Sequence, residues 1–184
     1  MARGEPTPPV LVGHSMGGLV VQLLLAKGLG SVGVAIDSAP PFGVRSFALS
    51  HLRSNKSLLW PGSSPIVPSC RDWKYAFRHT GSDHDVRKAY DGEVVPESRR
   101  VGRGPLGAHA KIDFTKPRSP LLLVGGELDN IIPASLSRAN ASRYDASVAP
   151  TEYVEMEGRT HYLCGQPGWE DLADVTRQFI EKHL

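Results

Sequence analysis

The chain has 184 residues, 40% of them apolar and 22% charged, with a formal charge of +2. That is the length and composition of one globular domain, which excludes a disordered chain, a collagen-like repeat and a coiled coil. No apolar run approaches the roughly 20 residues that span a bilayer, and a nearly neutral charge gives no reason to expect a nucleic-acid partner. Met1-Ala-Arg-Gly-Glu-Pro6 holds no apolar signal core. Two cysteines, Cys70 and Cys164, are too few for a disulfide scaffold. The expectation is a cytoplasmic protein with two reduced thiols and no membrane contact.

Charge is unevenly spread. Between Val44 and Arg118 there are fourteen Lys/Arg against seven Asp/Glu, and the remainder of the chain is acidic. The middle reads as a basic insertion in an acidic frame. A solvated arginine-rich surface is its plain meaning, and a field that attracts anions is the functional one. It lacks the aromatic–basic interleaving of a nucleic-acid module.

In chain order, Pro9-Val10-Leu11-Val12 reads as a short strand buried on both faces. Gly17 to Lys27 is apolar nearly all round and stops at Gly28, as a helix buried against a sheet would. Val32–Ile36 is a second buried strand, ended by Pro40-Pro41. Leu121–Val124 is a third, between Pro120 and Gly125-Gly126. Tyr153–Met156 is a fourth, and its alternation places it nearer an edge. From Trp169 to His183, Leu172, Val175, Thr176, Phe179 and Ile180 form one helical stripe. This alternation predicts an α/β fold with a mostly parallel sheet and flanking helices.

Residues 44–114 interrupt the order. They are rich in Ser, Pro, Gly and Arg, with short helices predicted at 47–59, 70–79 and 83–90. They read as a cap or lid over the carboxyl edge of the sheet. The organisation is therefore 1–43 (strand, helix, strand), 44–114 (cap) and 115–184 (the rest of the core).

Gly13-His14-Ser15-Met16-Gly17-Gly18 lies where the first strand turns into the apolar helix. This is the G-x-S-x-G pattern in the strand–turn–helix setting it requires. So sharp a turn strains Ser15 and holds its hydroxyl above the sheet. Gly13 and Gly17 are expected because a Cβ at either place would collide with neighbouring backbone. The Met16 N–H then faces the oxygen that becomes negative in a tetrahedral intermediate, helped by the helix N-terminus. A glycine-rich turn with an incidental serine is the competing reading. It weakens because partners follow in order: Asp129 just past the third strand, and His161 just past the fourth.

On these residues the chain resembles the α/β-hydrolase superfamily, among its serine esterase-like members. The resemblance covers Pro9–Ile36 and Pro120–Leu184. It implies Ser15 as nucleophile, His161 as general base and then acid, and Asp129 as the residue that orients the imidazole. In that superfamily the sheet begins well before the nucleophile strand, and the earlier part carries a second oxyanion donor. Only eight residues precede Pro9, so the chain is expected to be the carboxyl-terminal part of the fold. Its first strand would then offer an open edge for pairing between copies.

Other residues are weighed beside these. Asp37, after the second strand, is the alternative acid. His14 reads as a packing and hydrogen-bonding residue close to the substrate. Trp60, Trp73 and Phe77 either line a substrate pocket or form a small core of the cap. His79 and His84, with Asp83 and Asp85, fit no standard metal spacing and read as solvated surface. Asp145 reads as surface too, and Cys164 as an inert thiol. No metal and no cofactor is expected. The resemblance implies hydrolysis of a small carboxylic ester through an acyl-Ser15 intermediate. The alternative is a weak or inactive truncated hydrolase that acts by binding a ligand or partner.

Overall fold

Four parallel strands form the sheet, in the order β1-β2-β3-β4. The structure, a computed structural model, describes residues 8–59, 62–116 and 118–184. Strand β1 is Val10–His14 and β2 is Val32–Ile36, with helix α1, Met16–Leu25, between them. Five short helices follow: α2 Leu49–Ser54, α3 Lys56–Leu59, α4 Cys70–Phe77, α5 Asp83–Glu93 and α6 Arg99–Gly102. Then come β3 Leu121–Gly126, α7 Ala134–Ser142, β4 Thr151–Met156 and α8 Trp169–His183.

The period-2 geometry of a strand explains the two cores. Val32, Val34 and Ile36 of β2, with Leu122 and Val124 of β3, pack on Leu172 and Phe179 of α8. The intervening Ala35, Leu121 and Leu123 pack on Val21 and Leu25 of α1 and on Tyr144. Gly33 lets α1 approach β2, since a Cβ there would lie 2.4 Å from Leu25 Cδ1 and 2.9 Å from Val21 Cγ1. Helix α8 spans the stripe foreseen in sequence. Its first turn carries Glu170 and Asp171 and its last Lys182 and His183, matching its dipole.

Strand β1 lies at an edge of the sheet, as the resemblance implied, so among the described residues only β2 covers its backbone. Three expectations change. Strand β1 is not buried on both faces: its residues are half-buried and Val12 is 53% exposed. Helix α1 is buried on one side only, with Val20 47% exposed. The helix predicted over 47–59 is two helices, because the Asn55 side chain donates to the His51 carbonyl (2.9 Å) and closes α2. The chain then restarts at Lys56.

The helices between β2 and β3 bury little. Trp73, Val86 and Ala89 make a small core with Phe77, Tyr90 and Tyr162. The serines before α4, α5 and α6 fix their starts. Ser69 accepts the Asp72 N–H, Ser82 that of Asp85, and Ser98 that of Val101. Among the described residues no helix is long and apolar enough to cross a membrane.

Candidate active site

The register brings four strand ends to one rim: His14 pairs with Ile36, Ile36 with Val124, and Gly126 with Met156. Ser15, Asp37, Asp129 and His161 all follow those ends. In an open parallel sheet this is where sites form.

Ser15 has φ 55° and ψ −117°, a conformation that side chains rarely adopt. Backbone bonds hold it there. Its N–H donates to the Ile36 carbonyl (2.9 Å), and its own carbonyl accepts from Gly18 (3.0 Å) and Ala39 (2.9 Å). A Cβ on Gly13 would lie 2.3 Å from the Gly17 carbonyl oxygen, so that glycine is required as expected. The expectation for Gly17 is corrected: nothing lies within 4 Å of a Cβ there. The tight contact is Gly13 against Gly17 backbone, and Gly17's own Cβ direction points away from it. The second constrained glycine is Gly18, whose Cβ would lie 2.7 Å from Ser38 Cβ. Met16 begins α1, so its N–H has no acceptor inside the helix.

His161 is fully buried. Its Nε2 accepts from Ser15 Oγ at 3.0 Å, and its Nδ1 donates to Asp129 Oδ2 at 2.6 Å. Asp129 Oδ1 accepts the Ile131 and Ile132 N–H groups at 2.6 and 2.8 Å. Asp37 Oδ2 is farther from His161 Nδ1, at 3.9 Å, and Asp37 Oδ1 accepts the Gly126 N–H at 2.7 Å. Of the two candidate acids, Asp129 is therefore the one bonded to the imidazole. Burial lowers the His161 pKa below its ordinary value, which favours the neutral ring. Burial raises Asp129 to about 7, against the pull of the Ile132 and Ile131 amides.

His14 lies against this group. Its Nε2 donates to the His161 carbonyl (3.0 Å), and the two rings are 4.7 Å apart. Burial, then the neighbouring His161, pushes its pKa down to about 3. Phe77 meets the His161 ring edge to face at 5.1 Å. Trp73 is not part of the site: it is stacked on Phe77 (5.5 Å) and edge-on to Tyr90 and Tyr162 in the core of the helical segment. Trp60 lies outside the described residues.

Contacts that no local pattern announces tie the helical segment to the Asp129 loop. His51 Nδ1 donates to the Ile131 carbonyl (2.6 Å), and Asn130 Nδ2 to the Tyr75 carbonyl (2.8 Å). His79 is half-buried with its Nδ1 3.3 Å from Asn130 Nδ2, not solvated surface as its sequence context suggests. His84 and Asp145 are exposed. Cys70 is half-buried and Cys164 exposed, and both are free.

Among the described residues one trio could offer ligands to a metal: His14, Asp37 and His161, with ligand atoms within 4.8 Å of one another. Both His161 nitrogens and His14 Nε2 already bond within the protein. The arrangement as it stands can move a proton from a hydroxyl to an imidazole whose other nitrogen is anchored by a carboxylate.

The sequence matches the family model described as "Alpha/beta hydrolase family" over residues 1–175. No curated protein matches it. Among solved structures it is similar to the Paleococcus ferrophilus monoacylglycerol lipase, at 20% identity and a TM-score of 0.64, covering 97% of this chain and 70% of that one. It is also similar to a Mycobacterium tuberculosis protein assigned as a non-heme bromoperoxidase (15%, TM-score 0.68, 96% and 68% covered). A methylesterase from Arabidopsis gives 15%, 0.62, 95% and 70%. At these identities the likeness is one of fold, and one fold carries several chemistries.

Proposed function

The chain belongs to the alpha/beta hydrolase family, and on that premise we propose that it is a serine hydrolase of small carboxylic esters. One observation carries the reading: Ser15 Oγ, His161 Nε2, His161 Nδ1 and Asp129 Oδ2 form a continuous relay at 3.0 and 2.6 Å. A serine hydroxyl is a poor nucleophile until a base takes its proton. Here the neutral His161 receives that proton as Ser15 Oγ attacks the ester carbonyl. Asp129 holds the Nδ1–H tautomer and stabilises the imidazolium that results. The Met16 N–H faces the developing oxyanion. His161 then returns the proton to the departing alcohol, leaving an acyl-Ser15. Water, activated by the same imidazole, releases the acid.

In this reading the helices between β2 and β3 act as a lid. Phe77 gives the site an apolar wall against the His161 ring, and His14 steadies the His161 main chain. The lipase and esterase neighbours favour an ester among the acyl compounds this chemistry can cleave.

The test has two arms. A fluorophosphonate should label Ser15 stoichiometrically and spare every other residue. Turnover of a short activated ester should fall about 10⁶-fold in Ser15→Ala, with the circular dichroism spectrum unchanged. An unlabelled folded protein, or undiminished turnover in Ser15→Ala, overturns the proposal. Binding of an ester without turnover would instead favour a remnant that acts as a ligand-binding protein.

A further inference from the structure

Asp37 is a buried carboxyl that the relay does not use. It sits one residue past the last β1–β2 ladder pair, fully buried, with φ 39°. Its Oδ1 is satisfied by the Gly126 N–H (2.7 Å). Its Oδ2 is buried and takes no donor. His161 Nδ1 is 3.9 Å away and already bonded to Asp129. Asp37 Oδ2 and Asp129 Oδ2 therefore converge on the same imidazole nitrogen, at 3.9 and 2.6 Å.

Two buried carboxylates gathered around one neutral imidazole cannot both stay charged without a proton between them. One must be a carboxylic acid, and donor count says which. Asp129 receives three N–H groups: those of Ile131, Ile132 and His161. Each stabilises an anion. Asp37 receives one. The proton therefore belongs to Asp37, whose Oδ2–H then has an acceptor in Asp129.

We propose that Asp37 is a positioning residue: a neutral carboxylic acid that donates from Oδ2 to Asp129 and holds that carboxylate against His161 Nδ1. Burial, then the charge of Asp129, pushes the Asp37 pKa well above the usual carboxylate range, in the same direction. The titratable groups around it are Asp129, His161, His14, Cys164 and Tyr153. A donor at this place also explains why two acids at adjacent strand ends do not repel each other out of the site. What Asp37 does for catalysis rests on the reading of Asp129 and His161 as a catalytic pair; its protonation does not.

The conservative variant discriminates. Asparagine at 37 keeps an oxygen for the Gly126 N–H and offers an N–H to Asp129, so it copies the neutral acid and not the anion. In the infrared at pH 9, where Asp129, with its pKa of about 7, is ionised, wild type should show the carbonyl stretch of a protonated carboxylic acid, and Asp37→Asn should lack it. The far-downfield proton resonance of His161 Nδ1–H should persist in Asp37→Asn and vanish or move upfield in Asp37→Ala. Ester turnover should stay within about 3-fold in Asp37→Asn and fall at least 30-fold in Asp37→Ala. Loss of a carboxylate band rather than an acid band in Asp37→Asn overturns the proposal, as does a turnover loss in Asp37→Asn as deep as in Asp37→Ala. If Asp37→Ala does not fold, Asp37→Asn alone decides. The two spectra require no turnover, so they judge Asp37 even if no ester is hydrolysed.

Discussion

At the rim of the sheet Asp37, Asp129 and His161 lie in one cluster, none more than 3% exposed. Across the helical segment the pairs Lys56–Asp72, Lys74–Asp83 and Arg87–Asp91 stand in solvent. The rim anchors the Asp129 carboxylate with three directed bonds, while the segment spends single contacts that water screens. Removing one group should therefore be severe at the rim and mild in the segment. Apolar packing reverses part of the contrast, since the segment depends on very few buried side chains.

The largest effect should come from Asp129→Asn. The amide cannot hold the base-competent tautomer of His161, so turnover should fall about 10⁴-fold with folding retained. Steady-state kinetics on an activated ester checks it. A nearly silent Asp129→Asn would move the anion to Asp37 and dissolve the distinction drawn at the rim.

Next is Trp73→Ala, at the centre of the segment's small core. Truncating a buried tryptophan costs about 3–5 kcal/mol. Hydrogen exchange should show the loss in α4 and α5 while β2 and β3 stay protected. Equal loss of protection in the strands would mean that segment and sheet fold as one unit.

His14 gives a pH test. Its folded pKa lies below the ordinary 6.5, so the unfolded chain binds the proton more readily. Its contribution to stability is complete above pH 6.5 and is lost as pH falls toward about 3. His14→Gln should flatten the fall of unfolding free energy below pH 6.5, by about 1 kcal/mol per pH unit relative to wild type. Parallel curves for the two proteins would show that His14 is protonated in the folded state.

Smallest is Lys56→Ala. Its partner is exposed, and such a pair contributes about 0–1 kcal/mol. Urea denaturation should barely move. A shift beyond about 1 kcal/mol would give the segment's charges the weight reserved here for the rim.

The parallel sheet was legible because β1, β2 and β3 are short apolar runs set off by Gly or Pro, and β4 alternates. The elbow was legible because its glycines and serine fall within six consecutive residues, Gly13 to Gly18. The edge position of β1 followed only from the resemblance, since an apolar strand by itself reads alike at an edge and in the middle. Trp73 and Phe77 were inseparable in sequence. Four residues apart on α4, one faces the segment's own core and the other the His161 ring, and only packing decides. His79 looked solvated because its partner, Asn130, is 51 residues away. The convergence of Asp37 and Asp129 on His161 has the same origin: the β2–β3 register brings their strand ends together.

Ser15 and Asp37 end adjacent strands at matching heights, and both have positive φ. Backbone strain of this kind costs on the order of 1–3 kcal/mol per residue. The rim is thus held away from its own conformational optimum, and on the proposed chemistry that strain is the cost of presenting the Ser15 hydroxyl. Glycine at position 15 would relieve the strain and remove the hydroxyl in one step. Ser15→Gly should therefore melt higher than the equally inactive Ser15→Ala.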